Sequence, residues 1–65
     1  GRFDPGLTTR QTEAVVAAVR VGYFATPRTG TVADVASTLD CSPATAAEHL
    51  RKAQAKVMQA LVASW

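Results

Sequence analysis

The stretch Leu39-Asp40-Cys41-Ser42-Pro43 constrains this chain more than any other part of it. Upstream, Val32, Val35, Ala36 and Leu39 recur at helical spacing, with Thr31 as N-cap and Asp34 in a first turn where the helix dipole favours an acid. Downstream, Ser42 is a capping residue and Pro43 is preorganised for the first position of a helix. From Pro43 to about Ala63 there is no Gly or Pro, and the Ala, Gln, Lys, Leu and Met content predicts one long helix of about five or six turns. Only Asp40 and Cys41 remain to separate the two helices. A connection so short makes them cross steeply, and a steep crossing needs small side chains where they meet. Ala36 and Ala46 are placed for that contact, and Leu39, Cys41 and Leu50 fill the wedge between the helices.

A further helix precedes this pair. In the stretch from Leu7 to Phe24, Thr8 followed by Gln11 matches a capping box, in which each side chain satisfies a backbone N–H of the first turn. Gln11, Thr12, Val15, Ala18 and Val19 mark the expected inner face, Arg10, Glu13 and Arg20 fall opposite, and Gly22 supplies the stop. The connection that follows is punctuated by Pro27 and Gly30. Tyr23 and Phe24 are expected to pin it to the bundle, while Arg28 is either solvated or a phosphate contact. The expected fold is all-α, a small helical bundle of one domain over residues 1–65 with a helix-turn-helix and a long C-terminal helix.

Length and composition exclude several classes of function. At 65 residues the chain has room for one marginally stable domain and little space for a pocket. Paired carboxylates, a nucleophile-base pair and a phosphate loop are all missing, so neither an enzyme nor a cofactor is expected. Cys41 is the single cysteine and His49 the single histidine, which leaves no disulfide and no metal site; Cys41 reads as a small buried apolar residue. With neither a bilayer-length apolar run nor a basic-then-apolar leader, the expectation is a cytoplasmic chain without a membrane partner.

The net charge of +2 is unevenly spread. Up to Cys41, Arg2, Arg10, Arg20 and Arg28 balance Asp4, Glu13, Asp34 and Asp40. From Ser42 onward, Arg51, Lys52 and Lys56 face only Glu48, so the excess lies on the last helix. On a helical wheel Leu50, Ala46, Ala53, Val57, Ala60 and Leu61 share an apolar arc, and the opposite arc holds Ala44, Thr45, Glu48, Arg51, Lys52, Ala55 and Lys56. That outer arc is flat near its start, where Pro43, Ala44 and Ala47 let a partner's surface approach the backbone. A steeply crossed helix pair with such a face has the helix-turn-helix geometry, whose second helix can enter the major groove of DNA. On charge alone a solvated helix face is the better reading, but it does not explain the small residues.

Three marks carry a resemblance to a known family: Leu-Thr-Thr-Arg-Gln from Leu7, Gly22-Tyr23-Phe24 followed by Pro27-Arg28, and the pattern Ser42, Thr45, His49-Leu50-Arg51. Over Leu7 to Leu61 the chain resembles the helix-turn-helix domain of the haloarchaeal bacterio-opsin activator family. Its second half is also similar to LuxR-type and sigma-factor region-four domains through Ser42, Thr45, His49, Ala53, Lys56 and Val57. The resemblance implies a sequence-specific binder of double-stranded DNA, the C-terminal output domain of an archaeal transcriptional regulator whose sensory domains precede it. It also implies a salt-rich cytoplasm, where ion release contributes less to affinity. Asp40 stands where such turns usually carry Gly, Ala46 stands for a commoner Val or Ile, and the balance is basic where haloarchaeal proteins are usually acidic.

By the same resemblance Arg51 occupies a groove-facing position, where it would pair with both acceptors of guanine. A phosphate contact or an ion pair with Glu48 are its other readings. Ala47 and Glu48 hold the other base-facing positions, against a thymine methyl and a cytosine amine. Thr45, Lys52 and Lys56 are expected to contact phosphate, together with Ser42 at the cap and His49 at the edge of the arc, although Ser42 is first a capping residue and His49 first a packing one. Met58, Val62 and Trp65 form a second apolar stripe that either packs against Phe3 or pairs two copies into a homodimer. The alternative function is a helical interaction module for an acidic protein partner, to which the small residues from Pro43 to Ala47 offer little grip.

Overall fold

The structure, a computed structural model, describes residues 3–65; Gly1 and Arg2, the latter counted in the charge balance above, lie outside them. It holds three helices and no strand among the described residues: α1 Thr9–Val21, α2 Val32–Leu39 and α3 Pro43–Ala63. Each starts at the expected cap. Thr8 and Gln11 close a capping box on α1, and the Ser42 hydroxyl accepts from the Thr45 N–H with Pro43 opening α3. At α2 the Asp34 carboxylate does more than complement the dipole. It accepts from the Thr31 N–H at 2.8 Å and from the Thr31 hydroxyl at 3.1 Å, completing a second capping box.

Two helices end by the same device. Gly22 (φ 85°) follows α1 and Asp40 (φ 57°, ψ 49°) follows α2, both left-handed. The next N–H then reaches back across the last turn, Tyr23 to the Ala18 carbonyl at 2.9 Å and Cys41 to the Ala36 carbonyl at 3.0 Å. Asp40 therefore takes the conformation that glycine usually fills in such turns. The Arg10 guanidinium donates to the Leu39 carbonyl at 2.6 Å, so α1 supplies a cation and a donor to the C-terminal end of α2. At Gly30 a Cβ would strike the Val21 carbonyl oxygen, which is why the connection can pass so close to the end of α1.

The core is mostly alanine. Ala14, Ala17 and Ala18 of α1, Val35, Ala36 and Leu39 of α2, and Ala46, Leu50 and Ala53 of α3 are buried, and Cys41 packs on their margin. Ala36, Ala46, Leu39 and Leu50 share one buried cluster as expected, whereas Cys41, expected to be buried, is only partly so. The expected inner face of α1 needs correction: Gln11 and Ala18 are buried, but Ala14 and Ala17 complete that face, Val15 is half-buried, and Thr12 and Val19 are exposed. Close approach explains the rotation. Three helices meeting within one short bundle admit methyl groups at the contact, so the branched valines turn outward although they are the more hydrophobic residues.

The far end of α3 departs from its expected packing for a reason of length. At about 1.5 Å per residue α3 runs roughly 31 Å, against about 20 Å for α1 and 12 Å for α2. Its last turns have no helix beside them, and Leu61, expected on the core arc, is half-exposed. Phe3 lies along Asp4, Ala60, Ala63 and Ser64 and does not cover the stripe of Met58, Val62 and Trp65, all of which are exposed. Tyr23 packs against the core, Phe24 meets its ring edge-on at 5.1 Å, and Arg28, exposed to solvent as expected, lies 4.3 Å over the Tyr23 ring.

Candidate nucleic-acid interface

The first half of α3 projects a face that neither α1 nor α2 covers. Ala46, Leu50 and Ala53 point into the bundle, and this fixes the direction of everything else on the helix. Pro43, Ala44, Thr45, Ala47, Glu48, Arg51 and Lys52 are exposed as a result, while His49 and Lys56 lie half-buried at the border. Thus the structure brings together Ser42, Thr45, Ala47, Glu48, Arg51 and Lys52 on one surface. Ser42 and Thr45 pair with each other through their hydroxyls at 2.9 Å.

This face is mixed in charge and internally paired. Glu48 accepts from the Arg51 Nη2 at 2.6 Å and Nε at 3.2 Å, and the Lys52 ammonium stands 3.8 Å away. Hydrogen bonding from Arg51 holds the Glu48 carboxyl below its ordinary range, reinforced by the charges of Arg51 and Lys52; the same bond raises Arg51. Each member is half-exposed or more, so the cluster shapes the surface far more than it stabilises the fold.

Lys56 is engaged elsewhere. Its ammonium donates to the Gln11 Oε1 at 2.9 Å and to the Gly6 carbonyl at 3.3 Å, tying the middle of α3 to the start of α1. Gln11 Oε1 also accepts from the Thr8 N–H at 3.0 Å, so one buried amide serves both the cap and the helix contact. That role was invisible in the sequence, where Gln11 carried a cap signal but nothing pointed to a lysine 45 positions away. No cluster of three metal-ligating side chains exists among the described residues, and no helix there is long and apolar enough to cross a membrane.

Comparison with known proteins bears on this surface directly. The model of a family described as a helix-turn-helix DNA-binding domain matches residues 7–59. The transcriptional regulator NarO of Haloferax volcanii is 39% identical over 56 residues, which cover 86% of this chain and 26% of that protein. A second Haloferax volcanii protein, named for a role in transcriptional regulation, is 41% identical over 57 residues, 88% of this chain and 10% of its own length. The chain thus spans about a quarter or less of the curated relatives it matches. No solved structure matches. With the family match running from the first capping box to the end of the exposed face, this chain belongs to the helix-turn-helix DNA-binding domains of the bacterio-opsin activator type.

Proposed function

We propose that this domain reads a specific sequence of double-stranded DNA with the first half of α3 in the major groove, as the cytoplasmic output domain of a longer transcriptional regulator. The observation that carries the reading is the projecting face itself. Pro43, Ala44 and Ala47 keep the backbone bare where base edges would lie, and Arg51 and Lys52 flank it. Ala47 and Arg51 face bases, with Glu48 beside them. Ser42, Thr45 and Lys52 contact phosphate and set the register, and His49 and Lys56 reach the backbone from the helix flank. Lys56 has to loosen its bonds to Gln11 and Gly6 to do so, which makes it the least committed of these contacts. The names of the Haloferax relatives support a regulatory role for the parent chain.

The apolar end of α3 supports a homodimer. No charged residue lies between Val57 and Trp65. If two copies of this segment pair antiparallel, Met58 of one falls opposite Trp65 of the other, and Leu61 opposite Val62, so the stripe is its own complement. From such a pairing point back to Ala47 is about 22 Å along the helix. Antiparallel arms of that length point in opposite directions and set the two reading segments about 44 Å apart.

An amide-resolved NMR titration of the chain with a short generic duplex, at low and then high salt, tests the DNA reading. Shifts concentrated on Ser42 to Lys56 and weakening with salt are expected; shifts absent, or confined to Met58 through Trp65, favour a protein-interaction module instead. For the dimer, Trp65→Ala that leaves both the solution mass and the DNA affinity unchanged removes the idea.

A further inference from the structure

Glu48 and Arg51 stand on the reading face, but their geometry gives them different tasks. A guanidinium carries five N–H donors, one on Nε and two on each terminal nitrogen, fixed in one plane. Glu48 takes the side edge, with Oε2 accepting from Nε at 3.2 Å and Oε1 from Nη2 at 2.6 Å. The outer edge, made by Nη1 and the second hydrogen of Nη2, stays open. Guanine presents O6 and N7 in the major groove as two adjacent acceptors, which match that edge. Meanwhile both oxygens of Glu48 are engaged, and the Lys52 ammonium lies 3.8 Å from one of them.

We infer that Glu48 is a positioning residue that holds the Arg51 fork edge-out toward guanine, and is not itself a reader of bases. This rests on the proposal that α3 enters a groove. A free arginine on an exposed helix samples many rotamers and gives up that freedom on binding; a bidentate carboxylate one turn earlier removes much of it in advance. The pair also neutralises Arg51 in the unbound domain, so attraction to any phosphate is reduced while the directional bonds to guanine remain. Specificity rises relative to bulk affinity for both reasons. Glu48 would contact cytosine only by releasing Arg51, losing two charge-assisted bonds for one.

Selection from a library of randomised duplexes, run in parallel on the wild-type chain and on Glu48→Ala, Glu48→Gln and Arg51→Ala, tests this. The wild type is expected to enrich a guanine at one position, and Arg51→Ala to lose it. Glu48→Ala weakens preference at that same position about threefold to tenfold, a part of the full bidentate discrimination, and leaves other positions unchanged. Glu48→Gln, which keeps one acceptor, falls between. All three replacements lie at exposed positions, and circular dichroism confirms that each variant is folded. A Glu48 variant that alters a different position, usually a cytosine, overturns the inference in favour of direct reading. One that tightens binding to every sequence equally, or changes nothing, also overturns it. A wild-type chain that enriches no sequence refutes the groove reading itself, which separates the two failures.

Discussion

Asp40 is the residue at which the turn between α2 and α3 can be tested most sharply. It is the one described non-glycine residue with positive φ, and it places a negative charge just past the C-terminal end of α2. The left-handed conformation costs about 1 kcal/mol for a residue such as Asp, at the lower end of the range for L-residues. The charge adds about 0.5 kcal/mol against the helix dipole. Replacing it by glycine removes both, while the greater freedom of glycine in the unfolded chain returns about 0.7 kcal/mol. Asp40→Gly is therefore expected to stabilise the domain by about 1 kcal/mol, a rise in melting temperature of roughly 4–8 °C at this size. Asp40→Asn removes only the charge and should gain about 0.5 kcal/mol, an advantage that fades as salt screens the dipole. Asp40→Ala removes the charge but lacks a side chain suited to the left-handed region, so it should gain nothing. Urea denaturation at low and high salt ranks the three. An alanine variant as stable as the glycine variant would refute the conformational part of the reasoning, and a glycine variant no better than wild type would refute both parts.

Two other predictions follow from the packing and from the charged face. Leu50, the largest fully buried side chain with Val35, fills the centre of the helix contact, so Leu50→Ala should cost about 3–5 kcal/mol and leave a chain of this size largely unfolded by circular dichroism. The Glu48 carboxyl should titrate below the ordinary glutamate range, followed by carbon-detected NMR. Because its folded value is depressed, the support it lends to α3 is complete above the unfolded value and disappears as pH falls through the folded one. Arg51→Ala should return Glu48 toward its ordinary value; an unchanged titration would show that Arg51 is not its partner.

How much of this was legible beforehand depended on how local each cause was. Thr8 with Gln11, Thr31, Ser42 with Pro43, and Gly22 each act within a turn or so of their own position, and every helix boundary they marked stands where expected. The tight turn at Asp40 was likewise legible, because only three residues separate the end of α2 from the start of α3. The rotation of α1 was not local. Whether valine or alanine faces inward was decided by how closely α2 and α3 approach, which periodicity within α1 does not contain. The attachment of Lys56 to Gln11 and Gly6, and of Arg10 to the Leu39 carbonyl, joins residues 29 to 50 positions apart. On the exposed face of α3 the types and spacing of Glu48 and Arg51 were visible, including their pairing as one reading of Arg51. What the sequence left open was which edge of the guanidinium that pairing would occupy.

The alanine core has a consequence for how the domain tolerates mutation. Of its nine buried apolar residues six are alanine, so at most interior positions a substitution can only add volume. Enlargement forces helices apart, and here displacement of α3 by even a fraction of its diameter would move Arg51 with it. Most interior errors would then register as a misdirected helix before they registered as an empty space, and only Val35, Leu39 and Leu50 offer volume to lose. In a lineage under selection for one operator, these interior sites should drift more slowly than their modest contribution to stability suggests, because geometry and recognition are constrained by the same methyl groups.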